Sequence, residues 1–263
     1  MKKIQKATYI LSVLTIVLFV IYIFIDSKSY QYNEESSDMM EENFYDDPYI
    51  SLEEAYQSIC SKVIPYIVNA NVIIDGKEYI GDVLEDKGNG TTYCVEIDNK
   101  IHWVDKYYVT ILDAEELKVE QLSDLEIEIY VNYSKFESIT DYFLWVDLYR
   151  NETYILKRKD NFFYLLDRIN CSTGANITPT KRGLFTITKK GDYFYSRDNS
   201  YICYNFMQYS GSYLLHSFPY SLKGKVLDDR LNQRVSNGCI RYSKENSKYL
   251  YDLIPIDTSI WIN

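Results

Sequence analysis

From Asn71 onward the chain consists of short β-branched and aromatic runs cut by tight-turn dipeptides, and this pattern constrains the fold more than any other feature. The stretch NVIIDGKEYIGDVLEDKGNGTTYCVEIDNKIHWVDKYYVTIL alternates apolar and polar positions, with Asp75-Gly76 and Asn89-Gly90 as tight-turn signals and Asp98-Asn99 as a further turn. A small all-β barrel fits it. A second block of strands is expected from about Leu125 through YFLWVDLYRNETYILKRKDNFFYLLDRINCSTG. The 28 tyrosines against 10 glycines suit aromatic-rich sheets with few flexible loops. Two helices interrupt the pattern. SLEEAYQSICSKVI opens with Ser51 as N-cap and Glu53 and Glu54 in the first turn, and Pro65 stops it. SKENSKYLYDLIP has Ser243 as N-cap and Leu250, Leu253 and Ile254 on one face.

At 263 residues with 46% apolar content the chain can bury a sizeable core, and two domains plus a tether are expected. Residues 7–25 carry no charge, and as a helix they would reach about 28 Å, enough to cross a bilayer. Lys2, Lys3 and Lys6 precede this run and Asp26 follows it, so the positive-inside rule puts the N-terminus in the cytoplasm and the rest outside. The exit IDSKSYQ lacks the small-x-small pattern of a cleaved signal peptide, which favours a retained single-pass anchor in the plasma membrane. Between Glu34 and Glu54 stand nine acidic residues and no Lys or Arg, the signature of a solvated, self-repelling spacer.

The formal net charge of −10 argues against a nucleic-acid partner, whose phosphates need a basic excess. Cys60, Cys94, Cys171, Cys203 and Cys239 show no metal-ligand spacing, so zinc is not expected, and no Gly-rich phosphate loop or other cofactor pattern occurs. Four of these cysteines lie in apolar or strand-like text, where a thiol behaves as a small hydrophobe. Cys239 alone follows a glycine turn, Ser236-Asn237-Gly238.

The chain has two histidines, His102 and His216, and His216 shares one short segment with Cys239: YLLHSFPYSLKGKVLDDRLNQRVSNGCIRYS. An acyl-transfer cysteine needs a thiolate, which a nearby imidazole can supply by lowering the thiol pKa. A glycine before the cysteine permits a turn whose N–H groups converge on a developing oxyanion. Arg241 could fix a carboxylate or amide carbonyl, or brace the loop through an ion pair. Tyr213 and Ser236 could line the cleft, or serve as a strand aromatic and a turn residue.

H-S-x-P followed by S-x-G-C-I-R resembles the signature of L,D-transpeptidases of the YkuD fold. Upstream, INCSTGANITPTKRGLFTI is similar to a second family segment at Ser172, Thr173, Gly174, Thr178, Pro179, Thr180, Gly183, Phe185 and Ile187. The strand, turn and IHWVDKYYVTIL ending of the first β block resembles bacterial SH3-like modules, with His102 where glycine is common. The resemblances imply a mainly β protein, a YkuD-like β-sandwich catalytic domain (124–263) preceded by a small SH3-like β-barrel (51–115); charge and hydropathy place ahead of them a cytoplasmic N-terminus with a transmembrane helix (1–28) and an acidic extracellular linker (29–50).

They further imply Cys239 as nucleophile, His216 as its base oriented by the Ser217 carbonyl, and the Gly238 and Cys239 amides as oxyanion donors. Arg241, Tyr213, Ser236 and Asn237 would bind substrate, and Asn237 replaces the family's usual histidine. The implied activity joins peptidoglycan stem peptides in 3-3 cross-links through a Cys239 thioester with loss of D-Ala, beside other cell-wall synthesis proteins. An L,D-carboxypeptidase, another amine acceptor or a non-catalytic wall-binding protein are the alternatives.

Overall fold

The computed structural model describes residues 51–86, 91–112, 119–196 and 200–263. The apolar run 7–25, the acidic linker and the Asn89-Gly90 turn lie outside the described residues. Among those described, no helix is long and apolar enough to cross a membrane.

Helix α1 (Leu52–Lys62) begins where the sequence places it, with Ser51 and Glu54 closing a reciprocal capping box. Five antiparallel strands follow: β1 (Asn69–Ile74), β2 (Lys77–Asp86), β3 (Thr92–Ile97), β4 (Lys100–Asp105) and β5 (Val109–Ile111), paired in the order β4-β3-β2-β1-β5. Asp75-Gly76 joins β1 to β2 and Asp98-Asn99 joins β3 to β4. All four turn residues have positive φ, the two-residue geometry that matches strand twist.

The segment after residue 119 departs from expectation at its start. Instead of a strand near Leu125, residues Asp124–Tyr133 form helix α2, capped by Ser123 and Glu126 in a second capping box. Ile127 and Val131, four apart, are buried on one face. Strands β6 (Tyr142–Asp147), β7 (Glu152–Lys159) and β8 (Phe162–Asn170) then form the centre and one side of a second sheet, completed by β10 (Gly183–Thr186) and β17 (Ser259–Ile262) in the order β10-β17-β6-β7-β8. Strand β6 is apolar on both faces because both are covered. Phe143 and Trp145 pack toward α1 and α2, while Leu144 and Val146 join the central core.

The third sheet carries the chemistry-bearing residues. It runs β11 (Lys189–Tyr195), β12 (Tyr201–Ser210), β13 (Tyr213–Ser217) and β16 (Ile240–Tyr242), with β14 (Tyr220–Ser221) paired to β12. Short β9 (Thr173–Gly174) pairs in parallel with β15 (Arg234–Ser236), and α3 (Lys244–Leu253) follows β16. Ser243 caps α3, whose Leu250 is fully buried, as is Ile254 just beyond its end. One apolar cluster is continuous through all three sheets, including Val72, Val83 and Val95 of the first, Leu144 and Ile260 of the second, and Met207, Leu215 and Ile240 of the third. The mainly β expectation holds, and Cys94, Cys171 and Cys203 are buried free thiols.

Candidate active site

Cys239 and His216 come together because β13 and β16 are adjacent parallel strands, with His216 opposite Arg241 and Leu215 opposite Ile240. Cys239 immediately precedes β16, so it stands one side-chain repeat from His216, about 7 Å along the strand direction. The Leu214 amide lies against its sulfur, and the thiol donates to the Ser212 carbonyl at 3.6 Å. Neither contact was legible in the sequence, since both are backbone groups brought in by pairing.

His216 is buried, with Phe194 of β11 meeting its ring edge-on at a centroid distance of 5.2 Å. Its Nδ1 lies 2.6 Å from the Ser217 carbonyl, which can only accept, so Nδ1 carries the proton and Nε2 is the free base. Ser217 is locked in turn: its hydroxyl donates to the Phe218 carbonyl at 2.8 Å and accepts the Tyr204 amide at 2.8 Å.

The electrostatics differ from the expectation of an imidazole that lowers the thiol pKa. Burial, opposed by the Ser217 bond and helped by the Arg241 charge, lowers His216 to about 4. Burial also raises the Cys239 thiol, with the Leu214 amide and Arg241 offsetting part of that rise. Both shifts run toward the uncharged forms, the Cys239 one at a side chain that keeps partial exposure. A consequence can be measured. Because the fold excludes a proton that the unfolded chain accepts at about pH 6.5, the His216 contribution is complete above that pH and is lost as pH falls toward 4. Denaturant titrations should show wild type losing about 3 kcal/mol more than His216→Gln between pH 7 and pH 4.

The turn before Cys239 is held from within. Ser236 is fully buried, and its hydroxyl accepts the Gly238 amide at 3.1 Å and donates to the Cys239 carbonyl. The Gly238 amide is thereby engaged within the turn. Gly238 adopts φ +99, and a Cβ there would stand 2.7 Å from the Tyr213 ring. Tyr213 is buried beneath the turn and donates its hydroxyl to the Asp86 carbonyl at 2.9 Å. Asn237 is exposed at the tip.

Arg241 is mostly buried and pairs with Asp228 at 3.1 Å, while its Nε has no hydrogen-bond partner among the described residues. Asp228 also binds Arg230, whose bonds hold the Asp228 carboxyl at about 2. The Ser172 hydroxyl fastens the Arg230 carbonyl, and its backbone exchanges two 2.8 Å bonds with Arg241. Asp228 lies in a polar loop with no flanking pattern, so nothing in the sequence marks it as the Arg241 partner. No cluster of metal-ligating side chains occurs among the described residues.

The family pattern described as the L,D-transpeptidase catalytic domain (YkuD) matches residues 141–262. YciB of Bacillus subtilis (strain 168) is 24% identical over 139 residues, covering 49% of this chain and 70% of YciB. Among solved structures, a fused Zn-dependent amidase/peptidase/peptidoglycan-binding domain-containing protein from Clostridium acetobutylicum is 31% identical, with a TM-score of 0.46 over 53% of this chain. The match spans 59% of that protein. An L,D-transpeptidase from Mycobacterium smegmatis is 15% identical, with a TM-score of 0.39 over 66% of this chain and 67% of its own. The family pattern runs from β6 to β17 and takes in both the His216 strand and the Cys239 turn, so residues 141–262 match the YkuD family of L,D-transpeptidase catalytic domains.

Proposed function

We propose that this protein is a cysteine-dependent L,D-transpeptidase that forms 3-3 cross-links between peptidoglycan stem peptides. The observation that carries the reading is the His216 arrangement: Nδ1 held by the Ser217 carbonyl and Nε2 free, one strand from a thiol on a glycine turn. Cys239 Sγ attacks the carbonyl of the L-centre diamino acid while His216 Nε2 takes the thiol proton. Collapse of the tetrahedral intermediate breaks the bond to D-Ala, and His216 returns the proton to the departing amine. An amine from a neighbouring stem then attacks the thioester, loses its proton to His216, and leaves as the new amide while Cys239 regains its thiol.

Starting from neutral groups suits this sequence, since proton transfer and attack occur together and no ion pair must be stored in a buried site. The Cys239 amide supplies the oxyanion donor, because the Gly238 amide is committed to Ser236. Arg241, anchored by Asp228, adds positive potential beside both reacting groups, and exposed Asn237 meets the substrate at the cleft mouth.

The N-terminal run 7–25 would anchor the protein in the plasma membrane, with the acidic linker carrying the catalytic domain toward an extracellular mesh. Residues 51–115 would form an SH3-like module that positions the enzyme at the wall beside other synthesis proteins. Support for that module is the antiparallel five-stranded sheet and the 3₁₀ turn Lys106–Tyr108 between β4 and β5. Mass spectrometry of the protein incubated with disaccharide-tetrapeptides tests the activity. Cross-linked dimers lacking one D-Ala are expected; trimmed tripeptides alone would mean that water is the acceptor, and no product would reject the assignment.

A further inference from the structure

The nucleophile turn does not rest on the catalytic sheets alone. Tyr213 lays its ring against Gly238, close enough that a Cβ there would stand 2.7 Å from Cε1, and the same residue donates 2.9 Å to the Asp86 carbonyl at the end of β2. A second path reaches the turn from the strap that follows β9. The Ala175 amide at 3.0 Å and the Thr178 hydroxyl at 2.8 Å both donate to the Ser236 carbonyl. The Pro179 carbonyl would lie 3.3 Å from a Gly238 Cβ.

That strap is held by the first five-stranded sheet and the segment leading into it. Arg182 donates to the Tyr66 carbonyl at 2.7 Å and pairs with Asp82, and Lys181 pairs with Glu85 at 2.6 Å. Tyr66 donates to Asn176 at 2.6 Å, and Tyr93 donates to the Ile177 carbonyl at 2.7 Å. These contacts join the N-terminal sheet or its lead-in to the strap whose Ala175, Thr178 and Pro179 meet the Cys239 turn.

We propose that the five-stranded sheet is a positioning part of the catalytic centre, setting where Cys239 stands through Tyr213 and through the 174–182 strap. Residues 237–239 belong to no strand, so the turn lacks a ladder of its own and takes its geometry from these neighbours. A displacement of about 1 Å at a reacting group can cost on the order of 100-fold in rate. Tyr213, Arg182 and Asp82 are positioning residues; none is assigned contact with the reacting atoms.

The kinetic arm of the test rests on the acyl-transfer reading; the alkylation arm does not. Full-length Tyr213→Phe, Arg182→Ala and Arg182→Lys proteins would be compared with wild type for iodoacetamide alkylation of Cys239, acylation by a stem tetrapeptide, and thermal midpoint. Tyr213→Phe keeps the ring and loses the hydroxyl, so it is expected to fold, to slow alkylation and acylation about fivefold or more, and to leave KM unchanged. Arg182→Ala should do the same, and Arg182→Lys, which can keep the Asp82 pair, should recover most of the rate. Rates within about twofold of wild type in both Tyr213→Phe and Arg182→Ala, or losses that track thermal midpoint or KM alone, overturn the proposal. If wild type is alkylated at Cys239 but never acylated by peptide, the transpeptidase reading fails while the alkylation rates still decide the positioning role.

Discussion

Cys239→Ala is expected to abolish acyl transfer, a loss of about 10⁴-fold or more, with the fold retained. Of the other four thiols, the partly exposed Cys60 sits on helix α1, away from the Cys239 turn in sequence and in fold, and the remaining three are buried. Cys203 is fully buried in β12 with its thiol pushed up to about 12, and Cys171 is fully buried with its thiol raised likewise to about 12. Cys94 is also buried and raised. Alanine keeps the Cβ and removes a sulfur held by the 3.6 Å bond to Ser212 and by the Leu214 amide, so stability should change by no more than about 2 kcal/mol. Intact-protein mass spectrometry after incubation with a tetrapeptide stem or a β-lactam of the carbapenem type checks it. An adduct persisting on the alanine variant would locate the nucleophile elsewhere.

Gly238→Ala should combine a structural and a catalytic loss. At φ +99 an L side chain is strained, at a cost of about 1–3 kcal/mol, and the new Cβ would overlap the Tyr213 ring at 2.7 Å. Tyr213 cannot swing away freely, because it is buried and its hydroxyl is tied to Asp86. Relief through overpacking adds about 1–3 kcal/mol more, and any shift of the turn carries Cys239 with it. The expected outcome is destabilisation of roughly 3 kcal/mol or more and at least about a 100-fold fall in acylation rate. Chemical denaturation and single-turnover acylation measure the two separately. A variant as stable and as fast as wild type would show that the turn does not depend on glycine.

Local signals were legible wherever local physics decides the structure. Ser51 with Glu54, and Ser243 ahead of an apolar face, satisfy orphan helix amides whatever the rest of the chain does. Asp75-Gly76 and Asp98-Asn99 adopt positive φ at low cost, so both hairpins were readable. The α2 helix was missed although Ser123 and Glu126 form the same capping box. Its LEIEIYV text alternates with strand-like period, and packing of Ile127 and Val131 against the outer face of the second sheet overrides that preference.

For the site, residue chemistry and proximity in sequence were enough to single out Cys239 and His216, and family spacing added Ser217, Gly238 and Arg241. Charge state was beyond reach. A thiol near an imidazole reads as a candidate ion pair, whereas desolvation shifts buried His216 and partly exposed Cys239 toward their uncharged forms, and desolvation is a property of the packed sheets. The same holds for Asp228, Phe194 and the Tyr213–Asp86 contact, which join segments with no pattern linking them.

Cys239 on its glycine turn, the caps and the hairpins were determined by the sequence itself, because backbone conformation and side-chain chemistry act over a few residues. The proton distribution between Cys239 and His216, the commitment of Ser236 and Gly238 to bracing, and the support of the turn by a distant β sheet were decided only by tertiary structure. Desolvation and contacts across dozens of residues exist only once the three sheets have closed on one core.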